Sequence, residues 1–106
     1  MKTKKQLREV LKMAKNRKGL VVTTVHKGVF FGYGTPTNES TIELINCRMC
    51  IYWPSSVQGV LGLAVTGPKK GSRITPSVPS IILRDITAVM EATPESIAMW
   101  EKGIWD

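Results

Sequence analysis

The sequence has few of the residues from which metal sites and many active sites are built. Its 106 residues include two cysteines and a single histidine. A structural zinc site needs four ligands, so these three residues are too few to build one. The chain also has no nucleophile motif and no carboxylate pair at a recognisable spacing. We therefore expect a protein that is not an enzyme and that has no metal and no cofactor.

The two cysteines form a Cys-x-x-Cys motif, which in other settings supports redox chemistry. A thioredoxin-type site requires the first cysteine at a helix N-terminus, among groups that favour its thiolate. Cys47 and Cys50 lie instead in a strand-like run, where residues three apart point to opposite faces. We expect two free thiols in the reducing cytosol.

Long apolar runs are also missing. The longest largely apolar run, residues 57–65, is interrupted by Gln58 and two glycines. No segment of this kind can span a bilayer. Residues 20–25 are too few and too rich in threonine for the core of a signal peptide. The sequence therefore predicts a cytoplasmic protein without membrane contact.

Positive charge is present in excess, but it is confined to one end of the chain. The formal net charge is +7. Residues 1–18 hold eight basic residues and one acidic residue, whereas residues 19–106 hold seven of each. Any basic site on the body of the protein must therefore be local.

Residues 1–18 are predicted to form a basic amphipathic helix. Thr3 and Gln6 fit a capping box at its start, and Gly19 suits its end. Its apolar stripe consists of Leu7, Val10, Leu11 and Ala14. The basic face is either a solvated surface or an electrostatic guide for an anionic ligand or nucleic acid.

Residues 19–106 are predicted to be a β-rich body, so that the chain forms one domain. The strand-like runs are 20–25, 29–33, the run from Ile42, 80–84 and 86–90, with a short helical segment within 55–67 and a helix that starts at Thr93-Pro94. Gly32 and Gly34 flank Tyr33 and indicate a bulge or a close approach to the backbone. The expected fold is α+β: a small, mostly antiparallel β-sheet with an N-terminal amphipathic helix and a short C-terminal helix.

A guanidinium and two aromatic rings lie within six residues at the end of the run from Ile42. Arg48 provides five donors in a fixed geometry, and Tyr52 and Trp53 provide ring faces. Planar anionic ligands require such groups. The alternative is that both rings belong to the core.

A second basic cluster follows in the loop that holds Lys69, Lys70, Ser72 and Arg73. Residues 62–72 imitate the spacing of a phosphate-binding glycine-rich loop. Pro68 occupies the place of the required lysine and lacks a backbone N–H, which argues against nucleotide hydrolysis. The cluster is either a clamp for an anion or a solvated loop.

Several short patches stand in the order of a known family. They are residues 29–32, 44–48, 52–53, 63–65, 67 and 81–86. In these patches the chain resembles the phage anti-Thoeris sponge proteins of the first type described, and their phage relatives. Those proteins form homo-oligomers that bind cyclic ADP-ribose-type signals, or in some cases small cyclic oligonucleotides, without cleaving them. They thereby starve a bacterial immune effector in the infected cell.

The resemblance implies a sponge for a cyclic nucleotide second messenger, acting as a homodimer or higher oligomer. Arg48 would pair with phosphate, and Phe31, Tyr52 or Trp53 would stack on the base. The residues that would close on the phosphates are Lys70, Ser72 and Arg73. Two alternatives remain open: a phage accessory protein that binds nucleic acid through the Lys-rich helix, or a structural assembly module. For the sponge we expect only weak, nonspecific nucleic-acid contact.

Overall fold

In a computed structural model of the protein, residues 17–105 are described. This part of the chain contains six strands, two α-helices and one 3-10 turn. In chain order they are β1 (Lys18–Thr24), β2 (Val29–Gly34), β3 (Ile42–Tyr52), the 3-10 turn (Ser55–Val57), α1 (Gly59–Val65), β4 (Arg73–Ile74), β5 (Val78–Leu83), β6 (Ile86–Glu91) and α2 (Pro94–Lys102).

The six strands form one antiparallel sheet around a three-strand meander. β1 pairs with β2 and β2 pairs with β3, while β6 lies on the free side of β1. The long strand β3 serves two partners on its other side: β5 runs along its first half and β4 along its last residues. β-Branched and aromatic residues fill these strands because they suit a pleated, half-buried surface.

β5 and β6 behave as a single strand that bends sharply and curls the sheet. Only Arg84 and Asp85 separate them, yet they pair with β3 and β1 at opposite sides of the meander. Asp85 adopts a left-handed conformation with φ of 55°. Its carbonyl accepts a hydrogen bond from the Val25 N–H at 2.9 Å, which ties the bend to the β1–β2 turn.

Each face of the curled sheet carries its own core. The concave face holds a cluster that we call the inner core: Leu20, Val22, Ile42, Leu44, Cys47 and Leu83. The opposite face packs against α1 and α2 in a cluster that we call the helix-side core: Val21, Val29, Phe31, Cys50, Val57, Leu63, Ala64, Ile74 and Trp100. Consecutive residues of β1 alternate between the two cores, as the two-residue period of a strand requires.

The predicted fold class is wrong. Instead of an α+β domain with a helix at each end, the described chain is a six-stranded sheet in which every strand pair is antiparallel, with two short helices. The first helix, α1, lies in the middle of the chain. The N-terminal amphipathic helix was predicted over residues 1–18. Residues 1–16 lie outside the described range, and Lys18 begins β1. The physical reason is the packing of the sheet. α1 and α2 together cover its helix-side face, which the prediction had not assigned to these two helices.

Other elements match their predictions. The hairpin around residues 26–28 is confirmed, and so is the C-terminal helix with Thr93 as its N-cap and Pro94 in its first turn. The helical segment predicted within 55–67 is present as the 3-10 turn followed by α1. Among the described residues, no helix is long and apolar enough to cross a membrane.

Candidate functional site

Arg48 lies in the middle of β3, where a bulge interrupts the pairing with β2. Phe31 pairs with Arg48 and Tyr33 pairs with Ile45, so β3 has one residue more than β2 at this place. The extra residue is accommodated at Asn46, whose φ of 51° is left-handed. Gly32 lies opposite, and a Cβ there would be 2.8 Å from Cβ of Leu44. The bulge indicated by the glycines beside Tyr33 is thus confirmed.

Two adjoining cavities meet at Arg48. The first is about 380 Å³ and is lined by Phe31, Tyr33, Asn46, Arg48, Ser77 and Glu101. The second is about 480 Å³ and is lined by Arg48, Ile74, Pro76, Ser77, Gly103 and Trp105. Because they share Arg48 and Ser77, we treat them as one site and call it the Arg48 cleft.

Arg48 is half-buried, and one hydrogen bond of its guanidinium is seen in the described chain. Its Nη1 donates to the Thr75 carbonyl at 3.2 Å. No carboxylate of residues 17–105 forms an ion pair with it. It also lies beside Gly103, where the carbonyl end of α2 carries partial negative charge that favours a cation. The arrangement holds the cation in place, and Arg48 lines both cavities of the cleft.

Tyr33 and Glu101 line the first cavity of the cleft together with Arg48. The Tyr33 hydroxyl donates to Oε1 of Glu101. Burial raises the pKa of Tyr33 above its usual value, and the hydrogen bond and the charge of Glu101 raise it further, whereas the charge of Arg48 acts in the opposite direction. The phenol therefore stays neutral. The cleft thus presents a cation and a carboxylate side by side.

Trp105 stands at the mouth of the cleft. The chain after α2 runs along β4: the Ile74 N–H donates to the Ile104 carbonyl at 2.7 Å, and Trp105 forms a bridge with Arg73. The indole remains 58% exposed. Its side chain therefore lines the cleft and remains accessible, a feature that the sequence did not reveal.

The predicted aromatic residues have other surroundings. Phe31 lines the first cavity of the cleft, but it is only 1% exposed. Its ring stacks on Trp100, with centroids 5.2 Å apart. Trp53 packs against the helix-side core. Tyr52 is 54% exposed but lines neither cavity of the cleft. Phe31 thus supports the floor of the site and cannot present a face to a base.

The predicted anion clamp does not assemble around Arg48. Ser72 is fully buried, and its hydroxyl accepts a hydrogen bond from the Lys69 N–H at 3.1 Å, which makes it a turn residue. Lys70 is exposed in the same turn. Arg73 is next to Ile74, which lines the cleft, and adjacent strand residues point to opposite faces. None of the three residues Lys70, Ser72 and Arg73 lines either cavity of the cleft.

The cysteines lie in different cores, as their spacing predicted. Cys47 belongs to the inner core and Cys50 to the helix-side core. Burial raises the pKa of the Cys47 thiol to about 12 and that of Cys50 to about 11. Both are therefore neutral packing residues near pH 7. Within residues 17–105, no three His, Cys, Asp or Glu side chains are grouped so that they could share a metal ion.

Comparison with known families gives one assignment. A family model described as "Domain of unknown function (DUF6948)" matches residues 17–100. The match covers most of the chain, so the protein belongs to the DUF6948 family. No curated protein and no solved structure matches it.

Proposed function

We propose that this member of the DUF6948 family binds a cyclic nucleotide signal in the Arg48 cleft and holds it without cleaving it. The ligand class is the one implied by the resemblance to anti-Thoeris sponge proteins: cyclic ADP-ribose-type molecules or small cyclic oligonucleotides. The observation that carries the proposal is the position of Arg48. Its side chain is half-buried, donates one hydrogen bond to the Thr75 carbonyl and lines both cavities.

The size of the cleft suits such a ligand. Pockets for small molecules and cofactors usually enclose about 300–1,000 Å³. The two cavities, at about 380 and 480 Å³, each lie in this range and share a wall. A compact ligand with two nucleoside units would place its charged centre at Arg48 and one unit on either side.

The chemistry of the walls also suits such a ligand. Arg48 is able to bind a phosphate with two parallel hydrogen bonds, which fixes orientation as well as charge. Trp105 offers an exposed ring on which a base stacks. Glu101 offers carboxylate oxygens that accept hydrogen bonds from ribose hydroxyls or base amines.

The positions of the histidine and of the cleft carboxylate support binding without cleavage of the ligand. His26 is exposed in the turn between β1 and β2, outside the cleft. The carboxylate of Glu101 already accepts the Tyr33 hydroxyl. A sequestering role in the cytoplasm of an infected bacterium follows from this retention, because a bound signal no longer reaches its effector.

The proposal includes self-association through the sheet edges. In the described chain, β5 pairs only with β3 and β6 pairs only with β1, so each has one open edge. β5 also exposes Ile82 by 62%. An open edge with exposed apolar residues is a template for strand addition by a second copy.

Calorimetry on matched arginine variants tests the binding site. Wild type would be incubated with a panel of cyclic nucleotides, and the retained compound identified after heat release. That compound should then bind Arg48→Gln about 10- to 100-fold more weakly, the loss expected for a charged hydrogen bond of about 1.5–3 kcal/mol. Arg84→Gln, in the β5–β6 bend, is the control and should bind as wild type does. Equal affinity of Arg48→Gln and wild type would exclude this cleft.

Light scattering tests the assembly separately. Wild type should form a dimer or larger oligomer, and Ile82→Lys should shift the population towards monomer, because it places a charge on the open edge. Glu39→Lys, in the β2–β3 connection, is the control. If wild type is a monomer at high micromolar concentration, the proposed self-association is wrong. The cleft would still stand as a candidate site within one chain.

A further inference from the structure

A row of three side chains crosses the sheet beside the Arg48 cleft. Tyr52 pairs with Arg73 across β3 and β4, and Arg73 bridges to Trp105 on the next segment. Residues directly opposite one another lie on the same face of a sheet. With strands about 4.8 Å apart, the row spans roughly 10 Å. We call these three residues the aromatic row.

A bulge explains why the row is exposed. The register of β3 against β4 shifts between Cys50 and Tyr52, so Tyr52 is turned away from the helix-side core to which Cys50 belongs. Tyr52 is 54% exposed and Trp105 is 58% exposed. Two half-exposed aromatic rings with an arginine between them are not explained by packing in either core.

The chain on the β3–β4 side of the row is basic, whereas Asp106 follows Trp105 directly in the sequence. Residues 44–83 contain four basic residues and no aspartate or glutamate. Two of them, Lys69 and Lys70, precede β4 directly and are exposed. Of the carboxylates in the described chain, the one nearest in sequence to Trp105 is Glu101, which is hydrogen-bonded to Tyr33. The β3–β4 side of the row is therefore complementary to an anionic polymer.

We propose that the aromatic row is a binding site for single-stranded nucleic acid, which adjoins the Arg48 cleft and shares Trp105 with it. Bases of an unpaired strand stack on Tyr52 and Trp105, while Arg73 and the two lysines contact the phosphates. Aromatic platforms beside a basic track are how proteins bind single strands without reading sequence. A duplex keeps its bases stacked inside and offers no faces to these rings, so the row favours a single strand over a duplex.

Fluorescence anisotropy with labelled oligonucleotides tests the site on the full-length protein. The probes are a 12-nucleotide thymidine strand and a duplex of equal length. Tyr52→Leu should weaken binding of the single strand at least about fivefold at fixed salt, the lower end of the loss when one base loses its aromatic partner. Tyr52→Phe retains the ring face and should bind as wild type does.

The salt dependence of the binding affinity distinguishes binding at the row from nonspecific attraction to the basic N-terminus. Arg73→Gln should reduce the slope of log affinity against log salt by about 0.7, the value for one phosphate contact on a single strand. Tyr52→Leu should leave the slope unchanged. Arg84→Gln, the matched control, should change neither slope nor affinity.

Several results would overturn the proposal. If Tyr52→Leu binds the strand as tightly as wild type, the rings do not stack on bases. If the duplex binds as tightly as the single strand, charge alone accounts for binding. Arg48→Gln should retain strand binding, and its loss there would mean that both ligands share one site. Because Tyr52 and Arg73 do not line the cleft, failure of this proposal leaves the cyclic nucleotide proposal standing.

Discussion

Gly103 and Arg48 lie so close together that a side chain at position 103 would displace the guanidinium. Gly103 ends α2 in the left-handed region with φ of 62°, and its N–H donates to the Trp100 carbonyl at 3.1 Å. A Cβ at this position would lie 2.6 Å from Nη1 of Arg48. The end of α2 therefore defines the space in which the guanidinium is held.

Gly103→Ala should weaken ligand binding in the cleft, because the added methyl group displaces Arg48 from its hydrogen bond to Thr75. It should also lower the free energy of unfolding by about 1 kcal/mol, the cost of a left-handed alanine. Gly59→Ala is the control, since Gly59 has φ of 80° but nothing within 4 Å of an added Cβ. Calorimetry and chemical denaturation measure both effects. Equal loss of binding in the two variants would mean that general destabilisation is responsible.

Trp100 should be the side chain on which the helix-side core depends most. It is fully buried, stacks on Phe31 and donates from Nε1 to the Leu63 carbonyl at 3.2 Å. Trp100→Ala should lower the free energy of unfolding by about 3–5 kcal/mol, the range for a large aromatic residue lost from a core. Exposed Trp105→Ala is the control and should cost far less. Urea denaturation followed by circular dichroism measures both, and similar losses would contradict the packing described.

Local sequence pattern predicted five of the six strands in the described chain, missed β4, and indicated only part of the candidate site. β1 and β2 are β-branched and aromatic runs on either side of a short turn, and such a hairpin is decided by nearby residues. The sequence predicted Arg48 as a candidate ligand-binding residue because it lies close to two aromatic residues. Its neighbours Glu101 and Trp105 come from the other end of the chain. They are brought there by the docking of α2, which no local pattern encodes.

The glycine-rich segment, in which Pro68 already argued against nucleotide hydrolysis, has a structural role. Its spacing resembled that of a phosphate loop, yet the glycines are required for packing. A Cβ at Gly62 would lie 1.6 Å from the Val57 carbonyl oxygen, and one at Gly67 would lie 2.9 Å from Cα of Ser96. Both glycines allow close contact between backbone segments, so their spacing reflects helix docking and not ligand binding.

Cys47 and Cys50 should resist alkylation in the native protein near pH 8. Both thiols are buried, and burial raises the pKa of Cys47 to about 12 and of Cys50 to about 11, so thiolate is scarce. Iodoacetamide followed by mass spectrometry should show modification only after unfolding in guanidinium. Rapid labelling of either residue in the native protein would contradict the two-core arrangement.

The same thiols give stability a defined pH dependence. Because folding raises the pKa of Cys47, its contribution is complete below the unfolded value near 9 and is lost as pH rises through about 12. The difference in unfolding free energy between wild type and Cys47→Ala should therefore shrink above about pH 9. Urea denaturation at a series of pH values measures it, and a constant difference would argue against a buried neutral thiol.

The ionisation of Tyr33 provides a direct readout of the geometry of the cleft. The protein has two tyrosines, so a Tyr52→Phe background leaves Tyr33 as the single phenol. Its pKa should exceed the ordinary value of 10, first because of burial and then because of Glu101. Glu101→Gln in this background should lower the pKa, since it removes the carboxylate charge. Arg48→Gln should raise it, since the charge of Arg48 favours the phenolate.

Ultraviolet absorbance of the tyrosinate measures these shifts, with circular dichroism to establish that each variant is still folded at the pH of the titration. Arg84→Gln is the control for Arg48→Gln and should leave the pKa of Tyr33 unchanged, because it removes an arginine that does not line the cleft. The two cleft variants must shift the pKa in opposite directions if Tyr33 lies between a carboxylate and a guanidinium. A shift of the same sign in both would mean that the substitutions act by changing the burial of Tyr33, and the arrangement of Arg48, Tyr33 and Glu101 described here would be wrong.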